Sequence, residues 1–388
     1  MAGAPDQSLD LDRTREVFEG STDFTIGLEE EFAIVDPDSL DLQQRFEELY
    51  EACQDDELLA ESAAGELIAS EIEVRSGRSD SFSEAAERQR ERRARLFGLA
   101  EGRGMGLAAM GTHPWANYLD QRIIDTAHYQ RLKRDLGYVV QRNNTWSAHV
   151  HMGIQGADRA IAVCDGMREL LPVLLAVSAN SPFLDRRDTG LHSVRTEIFT
   201  RVFPRCGIHE PFGDWATYAA FVELLARTNT IVESTQLWWS VRPHHLFGTV
   251  EVRICDAQTS GRDSFALAAL TAACVAQTAL DYDEGSLGAP LRQREIEENL
   301  WRAIRYGMDG KLIEFERGAE VETAAVVERV LEWSAPARAA LDLDVELPQL
   351  NGAQRARRAL EAGETIEAIY REAVAETRRT YVPEGVVG

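Results

Sequence analysis

Thr25–Val35 reads TIGLEEEFAIV, and its two-residue period decides the fold. Successive side chains of a β-strand point to opposite faces, so Phe24, Ile26, Leu28, Phe32 and Ile34 share one side. Glu29 and Glu31 fall on the other, with only Gly27 and Ala33 beside them. One face is core and the other presents two carboxylates. Glu30 shares the apolar side, which predicts a carboxylate buried with an arginine partner or seated near a sheet edge.

The same partition recurs further along the chain. In SAHVHMGI (Ser147–Ile154), Ala148, Val150, Met152 and Ile154 take the apolar face, and His149 and His151 the opposite one. In TVEVRICD (Thr249–Asp256), Val250, Val252 and Ile254 point inward; Glu251 and Arg253 point outward, with Cys255 on their parity. ELIASEIEVRS (Glu66–Ser76) reads as a fourth strand carrying Glu66, Glu71 and Glu73. The spacing of Glu66 and Glu73 is odd, so a straight strand would aim them at opposite faces. Both reach one ion only if Glu66 precedes a bend. A lone EEE triplet is ordinary surface and E-x-R is commonly a cross-strand ion pair; three strands split in the same way describe an active-site sheet.

A chain of 388 residues, 44% of them hydrophobic, can bury a large core as one large domain or two ordinary ones. Lys+Arg 41 against Asp+Glu 65 gives a formal charge of -24, which disfavours nucleic acid and anionic lipid as partners. Only Lys133 and Lys311 are lysines. Neither fits a P-loop or a kinase strand lysine, so arginines and metal ions must hold any triphosphate. Five cysteines (Cys53, Cys164, Cys206, Cys255, Cys274) form no CxxC pair and read as reduced thiols. With no signal-type apolar run at the N-terminus and no stretch reaching the ~20 apolar residues of a membrane helix, the expected location is cytoplasmic.

Helical patterns cover Leu40 to Cys53, Ser81 to Arg103, Ala157 to Ala179, Trp215 to Thr235 and Ser264 to Leu280, and most of the chain from Gln293 onward. The helix after Ser81 has a serine cap, an acidic first turn and basic last turns, and its arginine run reads as a solvated face. GLAAMGTHP (Gly106–Pro114) reads as a small-residue strand ending at a polar turn, and the Arg-rich segment between residues 184 and 207 as an irregular active-site loop. The expected fold class is α+β: a curved antiparallel sheet of about six strands, helices on its outer face and a helical C-terminal extension. The division is an arm over residues 1–20, a catalytic sheet domain over 21–285, and an extension over 286–388 packed on that domain.

Carboxylates repeated on neighbouring strands repel one another unless cations neutralise them. Mg²⁺ suits carboxylates plus substrate phosphate oxygens, and histidine in the set keeps Mn²⁺ open. Zinc is disfavoured, because carboxylates outnumber imidazoles and no cysteine stands at ligand spacing. Trp238 and Trp239 alternate, so one belongs to the core and the other lines the pocket; Trp301 reads as packing. Cys255 lies near the site with no evident base to activate it.

Taken together, TIGLEEEF, the Glu66–Gly77 segment, GTHP, HVHMGI, LWWSVRP followed by FGTVEVRICD, and ENLWRAIRYGMDG resemble the type 2 glutamate-cysteine ligase family of carboxylate-amine ligases. That resemblance implies a sheet similar to the glutamine synthetase catalytic fold, with metals and ATP at its concave face. It implies one Mg²⁺ on Glu31, Glu66 and Glu73 and another on Glu29, His149 and Glu251, with His151 facing the nucleotide. Arg253 and Arg242 would stabilise the transferred phosphoryl group, Arg253 also binding the nucleotide. Arg195 and Arg201 are candidates for the substrate carboxylate or phosphate, and His113 is either structural or a substrate-pocket residue. The implied chemistry is ATP-dependent: an acyl phosphate forms on a carboxylate, glutamate's γ-carboxylate by default, and an amine, cysteine by default, displaces phosphate. The family also implies self-association, a homodimer being the simplest form. A ligase using another acid or amine, a guanidino phosphotransferase and a silent binding protein are the rival readings; the last should have lost some of these side chains.

Overall fold

The computed structural model describes residues 9–382. Its centre is β1 (Ile26–Val35), which pairs antiparallel with β3 (Glu71–Arg75), β4 (Gly106–Ala108) and β5 (Ala148–Gly153). β2 (Ala63–Ala64) continues the sheet beyond β3, and β11 (Thr249–Val252) and β10 (Val241–His244) continue it beyond β5. The order is β10-β11-β5-β1-β3-β2, with β4 pairing the end of β1, seven strands in all. Two-residue pairs, β6 (Phe183–Leu184) with β7 (Arg187–Asp188) and β8 (Cys206–Gly207) with β9 (Trp238–Trp239), lie outside it.

The apolar parity read from the sequence is the covered face. Over the β5 and β11 half, α5 (Ala157–Met167) and α9 (Gly261–Asp283) bury Leu28, Val150, Met152, Val250 and Val252. Over the β1, β3 and β4 half, α3 (Phe82–Glu101) and α14 (Ile366–Tyr381) cover Phe32, Ile34, Ile72 and Val74. The Phe32 ring meets Phe97 and Tyr381 edge-on at 5.3 and 5.5 Å. α9 owes its depth to Ala, Gly and Thr, which let it lie close to the sheet. By length and hydropathy it could cross a membrane, against the expectation that no segment would, but 83% of its apolar window is buried in this core.

Glu30 resolves as a buried ion pair. It accepts from Arg93 at 3.1 Å, Gln89 at 2.8 Å and Ser264 at 2.5 Å, and the Arg93 guanidinium lies over the Phe265 and Tyr381 rings. The arginine run of α3 is therefore not wholly a solvated face: Arg93 is 2% exposed. Nor is the last turn of α3 basic. Its Ser81 cap is as expected.

Several boundaries differ from the sequence reading. The long pattern after Ala157 breaks into α5 and α6 (Leu171–Ser178), because Pro172 cannot continue a preceding helix but fits a first turn. α8 (Trp215–Arg227) stops well short of Thr235, where Asn229 turns left-handed at φ 54°. The segment expected to be irregular contains α7 (Val194–Val202), capped by Ser193. Beyond α10 (Gln293–Tyr306), a hairpin of β12 (Lys311–Glu314) and β13 (Ala319–Glu322) interrupts the helical tail, its turn closed by Gly318 at φ 59°. Trp301 is 40% exposed and does not pack in the core.

Candidate active site

The uncovered face of the sheet floors a cavity of about 580 Å³. Its roof comes from α4 (Ala127–Leu136), α7 with the residue that follows it, and β9, through Tyr129, Leu132, Phe199, Phe203 and Trp238. Trp239 points the other way into the core, so the two tryptophans divide as their alternation requires.

Register sets the chemistry. Across the sheet, Arg242 pairs with Glu251 and Glu251 with His151; one step along, His149 pairs with Glu29 and Glu29 with Arg75; one step further, Glu31 pairs with Glu73. Antiparallel neighbours stand close enough for such side chains to share a ligand. Three sets of donor atoms lie within 4.8 Å of one another: Glu29, His151 and Glu251; Glu29, Glu73 and His149; and Glu31, Glu66 and Glu73. The expected grouping of Glu29, His149 and Glu251 is not one of these three sets, although Glu29 belongs both to the set with Glu251 and to the set with His149. Glu251 faces His151 across the strands, and His149 turns towards Glu29 at 3.2 Å. Glu66 does reach Glu31 and Glu73, and the bend is there: β3 begins only at Glu71, with turn residues between, so the strand is shorter than expected.

The charged environment divides this face. Burial opposes ionisation of Glu29, but the charge of His151 and hydrogen bonding to His149 and His151 hold it well below the usual carboxylate range. Glu251 is likewise buried, and Arg242 and Arg253 keep it ionised. At the other end burial, reinforced by Glu73, pushes Glu31 up to about 7 although Arg195 opposes it. Glu66 and Glu71 are driven well up by burial and by their acidic neighbours, and burial raises Glu73 despite Arg75. Burial and Arg253 lower His149 to about 4. His151 is raised, since Glu29 and Glu251 outweigh its burial. At one half of the floor arginine and imidazole charge outweighs burial; at the other, burial and neighbouring carboxylates outweigh Arg75 and Arg195. Glu71 Oε2 also has no hydrogen-bond partner among the described residues. Oxygen-rich donors with an imidazole in this state fit a hard divalent cation of the Mg²⁺ or Mn²⁺ kind.

Both candidate phosphoryl-binding arginines reach the cavity, but both are engaged. Arg242 donates Nε to Glu251 at 2.6 Å and a second nitrogen to the Leu237 carbonyl at 2.6 Å, a clamp that orients the carboxylate. Arg253 pairs with the other Glu251 oxygen and keeps a buried Nε–H without a partner among the described residues. Arg195 lines the cavity yet gives its terminal nitrogens to the Ile254 and Arg253 carbonyls at 3.0 and 3.1 Å, bracing the chain that presents Arg253.

Arg201 is not brought to the site. Six residues beyond Arg195 on α7, it lies about 120° round the helix and lines an outer groove with Trp301. His113 is also elsewhere. Buried at 1% exposure, it bonds the Leu40 carbonyl at 2.8 Å through Nε2 and accepts from Trp115 and Ala116 N–H through Nδ1, a structural role. Cys255 packs in the core, since the chain leaves the strand geometry after Val252 and the parity no longer applies. All five cysteines are free thiols.

Three residues that the sequence reading passed over belong to the floor. Ser147 donates to Glu31 at 2.7 Å and lies 2.8 Å from His149 Nε2; Thr249 Oγ1 lies 3.0 Å from His151 Nδ1; Arg75 pairs with Glu73. Their signal was parity: each sits two residues from a singled-out ligand candidate on the same strand face.

The sequence model of the family described as "Glutamate-cysteine ligase family 2" matches residues 25–377. A relative from Rubrobacter xylanophilus, provisionally named glutamate–cysteine ligase 2-2, is 38% identical over 321 residues, 82% of each chain. One from Sorangium cellulosum, provisionally named glutamate–cysteine ligase 2, is 40% identical over 310 residues, 80% of this chain and 82% of its own. Among solved structures, a glutamate–cysteine ligase from Francisella tularensis in complex with AMP superposes with a TM-score of 0.65 at 12% identity, over 96% of this chain and 91% of that one. A bifunctional glutathione synthetase from Pasteurella multocida gives 0.63 at 12%, over 95% of this chain, which spans about half (53%) of that protein. At such identities the two structures show the shared fold.

Proposed function

The chain belongs to glutamate-cysteine ligase family 2 and is a carboxylate-amine ligase, and from that premise we propose that it joins glutamate's γ-carboxylate to an amine, cysteine by default, with ATP as co-substrate. The observation that carries this reading is the gathering of Glu29, Glu31, Glu66, Glu73, His149, His151 and Glu251 from four separate segments onto one floor. Glu31, Glu66 and Glu73 would hold one divalent cation; Glu29 and Glu251, with an imidazole, would hold another. Such a cation neutralises triphosphate charge and polarises phosphoryl oxygens when bound.

The chain's own residues supply alignment and shielding. Arg242 fixes Glu251 in a two-pronged grip, so a donor carboxylate stays aimed while charge redistributes. Arg253, with its spare buried N–H, is positioned to bind phosphoryl oxygens. Arg195 positions Arg253 through its backbone. In the first step a carboxylate oxygen of the acid bonds to the γ-phosphorus and ADP leaves; in the second the amine nitrogen bonds to the acyl carbon and phosphate leaves. The apolar roof of Leu132, Phe199, Phe203 and Trp238 keeps water from the hydrolysable intermediate. Residues 21–285 would carry this chemistry and the extension from 286, described as far as residue 382, would brace it. The family also favours self-association of the chain.

The experiment is phosphate release from MgATP across pairs of amino acids, with mass analysis of products and ¹⁸O in the γ-carboxylate. A γ-glutamyl dipeptide with one ¹⁸O carried into phosphate is the expected result. Dipeptide without label transfer would remove the acyl phosphate, and a phosphorylated guanidine in place of a dipeptide would remove the ligase reading for this site.

A further inference from the structure

Asp256 ends the RICD run that follows β11, is fully buried and does not line the cavity. Four donors surround its carboxylate. Oδ2 accepts from the Asn180 N–H at 2.8 Å and the Ser181 hydroxyl at 2.7 Å; Oδ1 accepts from the Ser193 hydroxyl at 2.9 Å and faces an Arg195 nitrogen at 3.6 Å. An amide in its place would turn an N–H towards one of these donors. The donors come from both sides of one connection: Asn180 and Ser181 stand just beyond α6, and Ser193 caps α7, accepting from the Thr196 N–H at 3.1 Å. Ser181 knits the two sides together, since its hydroxyl accepts from the Arg195 N–H at 3.2 Å and its carbonyl from the Val194 N–H at 3.0 Å. There is no slack behind the group. A Cβ on Gly111 would lie 2.7 Å from the Asp256 Cγ.

We propose that Asp256 is a positioning residue for the ligase reaction, fixing the first turn of α7 and the Arg195 guanidinium and, through them, setting both Arg253 and the roof. The inference rests on the reading of Arg253 and the roof given above and deepens it. Arg195 is the link. It stands in the first turn of α7 and holds the Ile254 and Arg253 carbonyls, while its Nε has no partner among the described residues. Its aim therefore depends on those two carbonyls and on the carboxylate beside it. Four residues on, one turn along the same helix face, Phe199 reaches the roof of the cavity. Asp256 is thus continuous in sequence with the strand that carries Glu251 and hydrogen-bonded to the helix that covers it, so it ties floor to roof. A displacement of about 1 Å by a residue remote from the chemistry can cost about a hundredfold in rate.

The test is Asp256→Asn in the full chain, with phosphate and dipeptide measured together and turnover expressed per folded molecule. Turnover should fall at least about tenfold, and more than one phosphate should appear per dipeptide, because under a displaced roof a water oxygen bonds to the acyl carbon as phosphate leaves. A purely structural role would lower Tm and the folded fraction and keep that ratio at one; a ratio of one overturns the proposal. The route through Arg195 is read from a double-variant cycle. Added to Arg195→Ala, Asp256→Asn should cost less than about a further twofold, whereas full multiplication of the two separate losses would overturn it. Should Asp256→Asn fail to fold, Ser181→Ala keeps both the carboxylate and the Ser193 cap and should also raise the ratio above one; a ratio of one there overturns the proposal equally. Unaltered protein that forms no dipeptide would sink the ligase reading, while a fully coupled Asp256→Asn enzyme sinks only the positioning role.

Discussion

Glu29 is where the two halves of the floor meet, since it belongs both to the group with His151 and Glu251 and to the group with Glu73 and His149. Replacing it by Gln keeps the shape and removes the charge both groups need. Turnover should fall at least about a hundredfold, the upper range for disturbing a metal's surroundings, with an unchanged far-ultraviolet circular dichroism spectrum; near-normal turnover would remove Glu29 from the ligand set. One residue along, Glu30 points the opposite way and its role is structural. Glu30→Ala leaves Arg93 charged and buried with no carboxylate, which should cost about 3–5 kcal/mol in urea unfolding; a loss below about 1 kcal/mol would mean water already compensates the pair. His113 makes a prediction about pH. Burial lowers it from 6.5 to about 4, and its Nδ1 must stay unprotonated to accept two N–H groups. The unfolded chain then binds the proton more readily, so stability from this group is full above pH 6.5 and is lost as pH falls towards 4, by about 3 kcal/mol at most. His113→Asn should be less stable at neutral pH and show a shallower decline across that window; parallel pH curves would contradict the assignment.

At the scale of elements, the sheet was legible because its strands are half-buried and their two faces carry opposite chemistry. Parity alone assigned Glu29, Glu31, His149, His151 and Glu251 to one wall and Val150, Val250 and Phe32 to the other, as the structure has them. Register was not legible, because side-chain period says which face a residue takes and nothing about its cross-strand neighbour. Parity therefore left open that Glu251 stands opposite His151 and Glu29 opposite His149. The roof failed for a different reason: α7 was hidden by arginines whose partners are distant carbonyls, such as that of Ile254. The hairpin at residues 311–322 has only Leu312 buried in its two strands, too little of an oil face to read. The outer layer carries its own test. Tyr381, near the end of α14, stacks on Phe97, meets Phe32 edge-on and donates its hydroxyl to the Gln258 carbonyl at 2.7 Å. Tyr381→Ala should destabilise the protein by about 3–5 kcal/mol while KM values stay as they were, because the cavity is on the other side of the sheet. A shift in KM without loss of stability would mean that α14 reaches the site in some way its packing does not reveal.

Over the whole molecule, the formal charge of -24 is concentrated at one point into a requirement for cations. Glu31, Glu66, Glu71 and Glu73 share one end of the cavity, and all four hold protons more tightly than ordinary carboxyls. The sign follows from linkage. A carboxyl whose folded-state value is raised binds more protons folded than unfolded, so its contribution to stability is full below about pH 4.3, the unfolded value. That contribution is lost as pH climbs, for Glu31 up to about 7. A divalent cation reverses this by taking the protons' place, so binding should release protons and be tighter at pH 8 than at pH 6. Mg²⁺ or Mn²⁺ at a hundred times its dissociation constant should then add about 2.7 kcal/mol to stability, read as a rise in Tm that EDTA abolishes. At one fixed metal concentration the increment should be larger at pH 8 than at pH 6 and accompanied by acidification of a weakly buffered solution. A Tm indifferent to either metal, or an increment that shrinks as pH rises, would show that the buried carboxyls are neutralised by the protein itself, and the cation-dependent reading of the floor would fall with it.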